Sequence, residues 1–326
     1  MPRIFVTRRI PERGLRLLYD AFGEENVSVA PQEDAMERAA LLEAVRGIDG
    51  LLSILTETID GEVLDAAGPQ LQIVANYAVG YNNIDVAAAT QRRVAVTNTP
   101  GVLTETTADL AWALLMAAAR RLGESERLLR AGRWAGWGPM LFLGVDVHGK
   151  TLGIFGMGRI GQAMARRASG FDMRVLYTDA ARLSAEQEAA LNATYVDKAT
   201  LLAESDFVSI HCPLTPETRH AFGAAEFTAM KKTAVLVNSA RGPVVDEAAL
   251  ARALQDGEIF AAGLDVFEDE PQIHPDLLDC QNAVLIPHLG SASQETRSRM
   301  AEIAATNIIA RLNGRTPPNC VNPEIL

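Results

Sequence analysis

The sequence predicts an α/β protein with two doubly wound parallel sheets. Short apolar runs alternate with helical segments along the whole chain, which is the pattern of successive βαβ units. The length of 326 residues fits two domains at about 150 residues each. The 48% apolar and 22% charged residues lie near the average for soluble globular proteins. Both domains can therefore bury a core of ordinary size.

The first part of the chain contains one alternating series of strands and helices. Its predicted strands are residues 4–6, 27–30, 51–55, 73–75 and 94–97. The helices predicted between them are residues 11–22, 36–45 and 61–67. This alternation favours a parallel sheet covered by helices on both faces.

A long apolar helix separates the two series. A turn at 98–101 precedes Thr104, which opens a helix over residues 108–120. This helix has no clear polar face, so we expect it to be buried on several sides, between domains or subunits. A loop over 132–149 follows. The second series then has predicted strands at 151–155, 174–177, 206–210, 234–237, 261–264 and 283–286, and a last helix at 293–312.

Charge and cysteine content exclude several classes of protein. The net charge is −11, which makes nucleic acid and anionic membranes poor partners. Three cysteines without a CxxC pair argue against disulfides and structural zinc. The longest apolar run is ten residues, about half of a membrane span, and no signal peptide precedes it. We expect a soluble cytoplasmic protein. No histidine pair has metal-ligand spacing, so no metal site is expected.

A glycine-rich turn follows the first strand of the second series. Gly156, Gly158 and Gly161 form a GxGxxG pattern between a strand and a helix. The first glycine permits a tight turn, the second lets the backbone approach a pyrophosphate, and the third lets the helix pack close to the strand. The helix N-terminus also favours an anion. The pattern predicts a dinucleotide site.

An acidic residue lies where such a site needs one. Asp179 follows the next strand, 18 residues after Gly161. A carboxylate there accepts hydrogen bonds from ribose hydroxyls and repels a 2′-phosphate, which favours NAD(H). Arg182, three residues further on, leaves NADP(H) as an open alternative.

Three polar residues follow three later strands of the same series. Arg241, Glu270 and His288 each come shortly after a predicted strand, at the sheet edge where ligands bind. Arginine offers a planar fork for a carboxylate. Histidine exchanges a proton near neutral pH, and a glutamate can orient it and favour its protonated form. Together they suit the reduction of a 2-oxo acid by a nicotinamide.

At these residues the sequence resembles the D-isomer-specific 2-hydroxyacid dehydrogenases. The resemblance covers nearly the whole chain. It rests on GMGRIG at 156–161, HCPLTPETR at 211–219, NSARG at 238–242, GLDVFEDEP at 263–271 and PHLGSAS at 287–293. Within the family, the loop 76–85 and the stretch 133–139 are most similar to the glyoxylate/hydroxypyruvate reductases.

The resemblance implies a role for each matching residue. Arg241, Glu270 and His288 match the catalytic set. The substrate-binding set adds Leu55, the backbone amides of Val79 and Gly80, and Trp137. The cofactor-contacting positions are Thr104, Gly156, Gly158, Arg159, Ile160, Gly161, Asp179, His211, Pro213, Thr218, Ala240, Asp265 and Gly290.

The resemblance also implies a domain organisation and an assembly. A flavodoxin-like substrate domain would comprise residues 1–99 and 290–326, and a Rossmann NAD(P)-binding domain residues 100–289. The family is dimeric around the helix at 108–120. Trp137 would then line its own or the partner's pocket, or be a plain dimer contact.

The expected activity is the reversible NAD(P)H-dependent reduction of a small 2-oxo acid, glyoxylate or hydroxypyruvate. Many glyoxylate reductases that prefer NADPH carry arginine, serine or threonine with following basic residues after the second strand. This chain has Asp179 there, which favours NADH. Another 2-hydroxy acid remains an alternative, although the loop 76–85 has no basic residue for a phosphorylated substrate. An NAD-sensing corepressor is a second alternative, which the lack of long disordered tails disfavours. Catalysis by Cys212 or by His211 is less favoured than a supporting role in the turn.

Overall fold

The computed structural model describes all residues from 1 to 326. Helices and strands alternate throughout. The strands are β1 Ile4–Val6, β2 Val27–Val29, β3 Gly50–Ser53, β4 Ile73–Asn76, β5 Ala95–Thr97, β6 Thr151–Phe155, β7 Arg174–Thr178, β8 Ala193–Tyr195, β9 Phe207–Ile210, β10 Val235–Asn238, β11 Ala261–Leu264 and β12 Ala283–Leu285. The helices are α1 Glu12–Phe22, α2 Arg38–Ala44, α3 Gly61–Ala67, α4 Val86–Gln91, α5 Thr104–Ala119, α6 Leu122–Arg130, α7 Arg159–Ala168, α8 Ala185–Leu191, α9 Lys198–Glu204, α10 Ala224–Ala229, α11 Glu247–Gln255, α12 Pro275–Asp279 and α13 Gln294–Leu312.

The chain divides into two compact units. The first comprises Met1–Leu103 with Ser291–Leu326, and the second is Thr104–Gly290. The last helix, α13, therefore belongs to the same unit as the N-terminal strands. None of the helices combines the length and the apolar composition that a membrane crossing requires.

The first unit is built on a five-stranded parallel sheet. Its strand order is β2-β1-β3-β4-β5, which is the flavodoxin-like doubly wound order. One apolar layer lies between the sheet and α2, α3 and α4. The other joins α1 and α13 through side chains such as Leu15, Leu18, Ala301, Ala304 and Ile308. The strands are apolar on both faces because helices cover both.

The second unit is built on a seven-stranded parallel sheet. Its strand order is β12-β11-β10-β9-β6-β7-β8. The order reverses at β6, which is the doubly wound dinucleotide-binding topology extended by one strand. Helix α5 packs on one face among small and aliphatic side chains of β10, β11 and α7. The prediction of two doubly wound α/β sheets is confirmed.

The structure adds elements that the sequence analysis did not predict. These are the short helices α4, α6, α8, α9, α10, α11 and α12 and the edge strand β8. The helix predicted to follow the glycine pattern begins within it, at Arg159. Helix α6 has no buried residue.

Candidate active site

The glycine turn has the geometry that a pyrophosphate requires. Gly156 has φ 98°, and a Cβ there would lie 2.5 Å from the backbone nitrogen of Cys212. A Cβ on Gly161 would lie 2.2 Å from the carbonyl oxygen of Gly156. By contrast, a Cβ on Gly158 would meet nothing within 4 Å. That open space at the start of α7, beside Arg159 and Ile160 in its first turn, is where a phosphate can approach the backbone.

Asp179 contacts the same turn from the end of β7. Its carboxylate accepts the backbone N–H of Met157 at 2.5 Å and that of Ala181 at 3.2 Å. An acid is thus fixed at the edge of the space left open by Gly158. The residues present therefore fit a dinucleotide whose ribose hydroxyls meet a carboxylate.

Arg182 forms an ion pair with Glu188. Its guanidinium donates to both carboxylate oxygens of Glu188, at 2.8 and 3.0 Å, and lies 5.5 Å from the ring centre of Tyr195. Glu188 also accepts the hydroxyl of Tyr177 at 2.7 Å. The arginine that the sequence analysis left as a partner for a 2′-phosphate is consequently held in a bidentate ion pair.

His211 follows β9 and is neutral in the folded chain. Its Nε2 lies 2.8 Å from Oγ of Ser209, and its Nδ1 is buried without a hydrogen-bond partner. Burial lowers the pKa of His211 to about 3. Burial likewise raises the pKa of the adjacent Cys212 thiol to about 11, so neither side chain suits proton transfer or nucleophilic attack near neutral pH.

The turn after His211 is closed by Thr218. Its hydroxyl donates to the carbonyl of Pro213 at 2.7 Å and accepts the N–H of Thr215 at 2.7 Å. The resemblance implies that His211, Pro213 and Thr218 contact the cofactor. The structure places all three in this one turn at the carboxyl end of β9.

Arg241, Glu270 and His288 follow three adjacent strands, β10, β11 and β12. The Nδ1 atom of His288 lies 2.8 Å from a carboxylate oxygen of Glu270. The other carboxylate oxygen of Glu270 accepts the N–H of Phe267 at 3.0 Å. Arg241 makes no ion pair with either residue, and its guanidinium donates to the carbonyl of Ala240 at 2.6 Å. Glu270 and His288 are therefore a bonded pair, with Arg241 as a separate cation beside it.

The charges in this group influence one another. Burial favours the neutral form of Glu270, but the hydrogen bond and charge of His288 outweigh it and lower the pKa of this carboxyl. Burial lowers the pKa of Arg241, and the charge of Glu270 opposes that change. Glu270 is therefore ionised at neutral pH and can orient the imidazole of His288.

Close contacts fix the backbone around Arg241. Buried Asn238 accepts the N–H of Ala240 at 3.0 Å and donates to the carbonyl of Arg241 at 2.9 Å. At Gly242 a Cβ would lie 1.9 Å from the carbonyl carbon of Phe267. Only glycine lets the turn after β10 approach the segment that carries Glu270 so closely.

His288 has a left-handed backbone conformation, with φ 51°. Such a conformation is uncommon outside glycine and requires support from its surroundings. Fully buried Asp265 provides it, since its carbonyl accepts the N–H of His288 at 2.9 Å and its carboxylate accepts the N–H groups of Leu289 and Gly290. Burial raises the pKa of Asp265. Asp265, which the resemblance places among the cofactor contacts, therefore supports the turn that contains His288.

Glu247 is a residue of the site that sequence reasoning missed. It lies in the first turn of α11 and is buried. Its carboxylate accepts the N–H of Glu268 at 2.6 Å and that of His274 at 3.1 Å, on either side of Glu270. Burial raises the pKa of Glu247. The only sequence signal is an acid at a helix start, which usually indicates an interaction with the helix dipole.

The predicted substrate residues of the first unit lie in two loops. Half-buried Leu55 follows β3, and half-buried Val79 and Gly80 follow β4. The backbone N–H groups of Val79 and Gly80 donate no hydrogen bond within the protein. Two successive unpaired N–H groups can receive an anion.

The remaining predicted residues are placed as follows. Thr104 begins α5. Trp137 is 85% exposed, and the apolar side chains of Leu122, Leu129, Trp134 and Met140, in α6 and the loop after it, are also exposed. Outside the site, His148 and His220 are exposed, and His274 is partly buried. No group of three or more His, Cys, Asp or Glu side chains is placed to hold a metal ion.

A doubly wound sheet with this glycine turn, an acid after its second strand and a bonded Glu–His pair at its carboxyl edge defines a dinucleotide-dependent oxidoreductase. Residues 112–290 match the family model described as D-isomer specific 2-hydroxyacid dehydrogenase, NAD binding domain. The chain belongs to the D-isomer-specific 2-hydroxyacid dehydrogenase family. The resemblance seen in the sequence is confirmed, and the chain is an oxidoreductase that acts on 2-hydroxy acids with NAD(P).

Similar proteins cover the chain from end to end. It is 56% identical to the glyoxylate reductase of Korarchaeum cryptofilum, over all of this chain and 97% of that protein. It is 50% identical to the glyoxylate reductase of Thermococcus litoralis, over all of this chain and 98% of that protein. Among solved structures, the NADPH-dependent glyoxylate/hydroxypyruvate reductase of Sinorhizobium meliloti with NADP and malonate has a TM-score of 0.83 and 35% identity, covering 98% of this chain and 96% of that one.

Proposed function

We propose that this chain reduces glyoxylate, and with it hydroxypyruvate, to the 2-hydroxy acid in a reversible reaction. The observation that carries the proposal is the pair of His288 and Glu270, 2.8 Å apart, at the carboxyl edge of a sheet that also bears the glycine turn. The full-length similarity to proteins named glyoxylate reductase supports the choice of substrate.

The residues of the second unit divide the chemistry between them. A bound nicotinamide dinucleotide supplies a hydride to C2 of the 2-oxo acid. Because Nδ1 of His288 is bonded to Glu270, Nε2 remains to donate a proton to the substrate's carbonyl oxygen. Glu270 holds the imidazole in place, and Arg241 binds the substrate's carboxylate and polarises its carbonyl. One hydride and one proton complete the hydroxy acid.

The remaining sequence-predicted roles are part of the same proposal. The turn from Gly156 to Gly161 would hold the pyrophosphate, and Asp179 the adenosine ribose. The other assigned cofactor contacts are Thr104, His211, Pro213, Thr218, Ala240, Asp265 and Gly290. In the first unit, Leu55 and the amides of Val79 and Gly80 would bind substrate.

We propose NADH as the preferred cofactor. The carboxylate of Asp179, fixed on the N–H of Met157, would repel a 2′-phosphate. Arg182, the nearby cation that could attract one, is paired with Glu188. Both observations support NADH over NADPH.

We also propose a homodimer and a cytoplasmic location. Exposed apolar side chains on α6 and the loop after it support a subunit interface, since Leu129, Trp137 and Met140 are each more than half exposed. Trp137 would then line a pocket or pack against the partner. All three cysteines are free, which agrees with a reducing compartment.

The proposal is tested by following consumption of NADH and NADPH with glyoxylate, hydroxypyruvate, pyruvate, phenylpyruvate and 2-oxoglutarate. We expect fast turnover with the first two substrates. His288→Asn should lower kcat by about 10²- to 10⁴-fold and leave NADH binding intact. His148→Asn is a matched control, since this exposed histidine is also bonded to a carboxylate, that of Asp172 at 2.9 Å.

Two results would contradict the proposal. Retained turnover in His288→Asn would place the acid elsewhere. Dinucleotide binding without reduction of any 2-oxo acid would favour the NAD-sensing corepressor instead, and a search for bound peptide partners would then follow.

A further inference from the structure

Three consecutive carbonyl groups in the loop after β4 are hydrogen-bonded to the protein. The carbonyl of Ala78 accepts the N–H of Thr99 at 2.8 Å. The carbonyl of Val79 accepts the side-chain amide of Asn98 at 2.8 Å. The carbonyl of Gly80 accepts the side-chain amide of Asn76 at 2.8 Å. Every carbonyl of this segment is thus fixed by its own donor.

Fixing these carbonyls also fixes the N–H groups that follow them. A peptide unit is planar and trans, so its C=O and N–H point in opposite directions. The bond from Thr99 therefore sets the direction of the N–H of Val79. The bond from Asn98 likewise sets the direction of the N–H of Gly80. These two N–H groups have no partner within the protein, so they are oriented but free to bind a ligand.

Asn98 is itself held in place. Its backbone N–H donates to the carbonyl of Asn319 at 3.3 Å, and its carbonyl lies 3.4 Å from the side-chain amide of Asn307. Asn307 is fully buried in α13. The side-chain amide of Asn98 is therefore held in place by residues of the core of the first unit.

A second set of bonds joins this loop to the one that carries Leu55. The side-chain amide of Asn83 donates to the carbonyls of Ile54 at 3.0 Å and Glu57 at 3.1 Å. The amide of Asn76 lies 3.2 Å from the Oδ1 atom of Asn83. Both substrate loops of the first unit therefore share one framework of asparagine side chains.

We propose that Asn98 is a positioning residue that orients the N–H of Gly80 toward the carboxylate of the substrate. This inference rests on the proposed function. It names Asn98 as the residue whose side chain orients the backbone N–H that would bind the substrate's carboxylate. Asn98 acts through the carbonyl of Val79 and does not touch the substrate. When its amide is removed, water can satisfy this half-buried carbonyl, and the peptide unit is free to rotate.

The test compares Asn98→Ala with Asn82→Ala. Asn82 is exposed in the same loop, and its side chain makes no hydrogen bond, so its truncation is a matched control. We expect Asn98→Ala to raise the KM for glyoxylate roughly tenfold, which is the effect of one misaligned hydrogen bond to an anion. The kcat should change less than about threefold, and NADH affinity should not change, because the second unit is untouched. Asn82→Ala should leave all three unchanged.

A second variant and an unreactive ligand separate positioning from a loss of structure. Asn98→Asp keeps the shape of the side chain but places an acceptor against the carbonyl of Val79. It should raise the glyoxylate KM at least as much as Asn98→Ala. Oxalate, used as a competitive inhibitor, tests the anion site without the chemical step. In each variant its affinity should fall by the same factor by which the KM for glyoxylate rises.

The possible outcomes are distinct. An unchanged KM and oxalate affinity in both Asn98 variants would overturn the positioning role and leave the proposed function intact. A parallel fall in kcat, NADH affinity and melting temperature would show that Asn98 only supports the fold, which also overturns it. Absence of glyoxylate turnover in the wild type would overturn the proposed function, and the positioning role with it.

Discussion

Glu247 and Glu268 bind each other's backbone. The carboxylate of Glu247 accepts the N–H of Glu268 at 2.6 Å, and the carboxylate of Glu268 accepts the N–H of Glu247 at 2.9 Å. This reciprocal pair fastens the start of α11 to the segment that leads into Glu270. Because Glu270 orients His288, the geometry of the proton donor depends on a carboxylate that is not hydrogen-bonded to it.

The first prediction concerns this buried carboxylate. In Glu247→Gln an amide NH2 would face one of the two backbone N–H groups that Glu247 now accepts, so the segment carrying Glu270 should shift. We expect kcat/KM to fall about tenfold, equivalent to about 1.4 kcal/mol, and the pH profile of kcat/KM to move as the Glu270–His288 bond weakens. Glu186→Gln, in the exposed first turn of α8, is the control. An unshifted pH profile would mean that Glu247 affects stability alone.

The second prediction concerns cofactor choice. Asp179→Ser removes the charge that would oppose a 2′-phosphate, and adding Glu188→Gln frees Arg182 to meet it. We expect the double variant to bind NADPH roughly tenfold more tightly than Asp179→Ser alone, because a charge-assisted pair becomes available. Fluorescence titration with NADH and NADPH measures this directly. If both variants bind NADPH equally, the ion pair of Arg182 has no part in the preference.

The third prediction concerns acid stability. His211 is neutral when folded, with its pKa lowered to about 3 from the usual 6.5, so below about pH 6.5 unfolding takes up a proton. Its contribution to stability is full at higher pH and is lost as the pH falls, by about 1.4 kcal/mol per unit. Between pH 7 and 5, the free energy of unfolding by urea should fall about 2 kcal/mol more in the wild type than in His211→Asn. Equal losses would show that the ring is protonated in the fold.

The fourth prediction concerns assembly. Leu129 is 58% exposed on α6, so Leu129→Asp should preserve the monomer fold and break a dimer that buries this surface. Light scattering after size-exclusion chromatography gives the mass directly. Thr228→Asp, on the exposed side of α10, carries the same charge elsewhere. A dimer that survives Leu129→Asp would move the interface off α6.

The sequence predicted the architecture better than its smaller elements. The strands at 151–155 and 261–264 match β6 and β11, because buried parallel strands are continuous apolar runs. Edge strand β8 has only three residues, of which Ala193 alone is buried, so no such run marks it. Helix α6 was missed because it follows α5 directly, without the strand that separates successive helices in a βαβ series.

Some residues of the candidate site could be predicted from the sequence and others could not. Asp179, Glu270 and His288 follow strands, so the edge at which they lie could be predicted from the chain. Glu247 could not, because its partners are 21 and 27 residues away and only the folded chain brings them to it. Asn98 was taken as part of a turn, since nothing local shows that its amide reaches the carbonyl of Val79.

The place of α13 in the fold has a consequence for synthesis on the ribosome. The second unit is one uninterrupted stretch, Thr104–Gly290, and has all its strands once that stretch has emerged. The first unit is translated earlier, yet part of the apolar layer around Leu15 and Leu18 stays uncovered until Ala301 and Ile308, which follow the second unit in the chain, have emerged. The half that is made first is therefore finished last, and the nascent chain carries an open hydrophobic layer that chaperones can recognise.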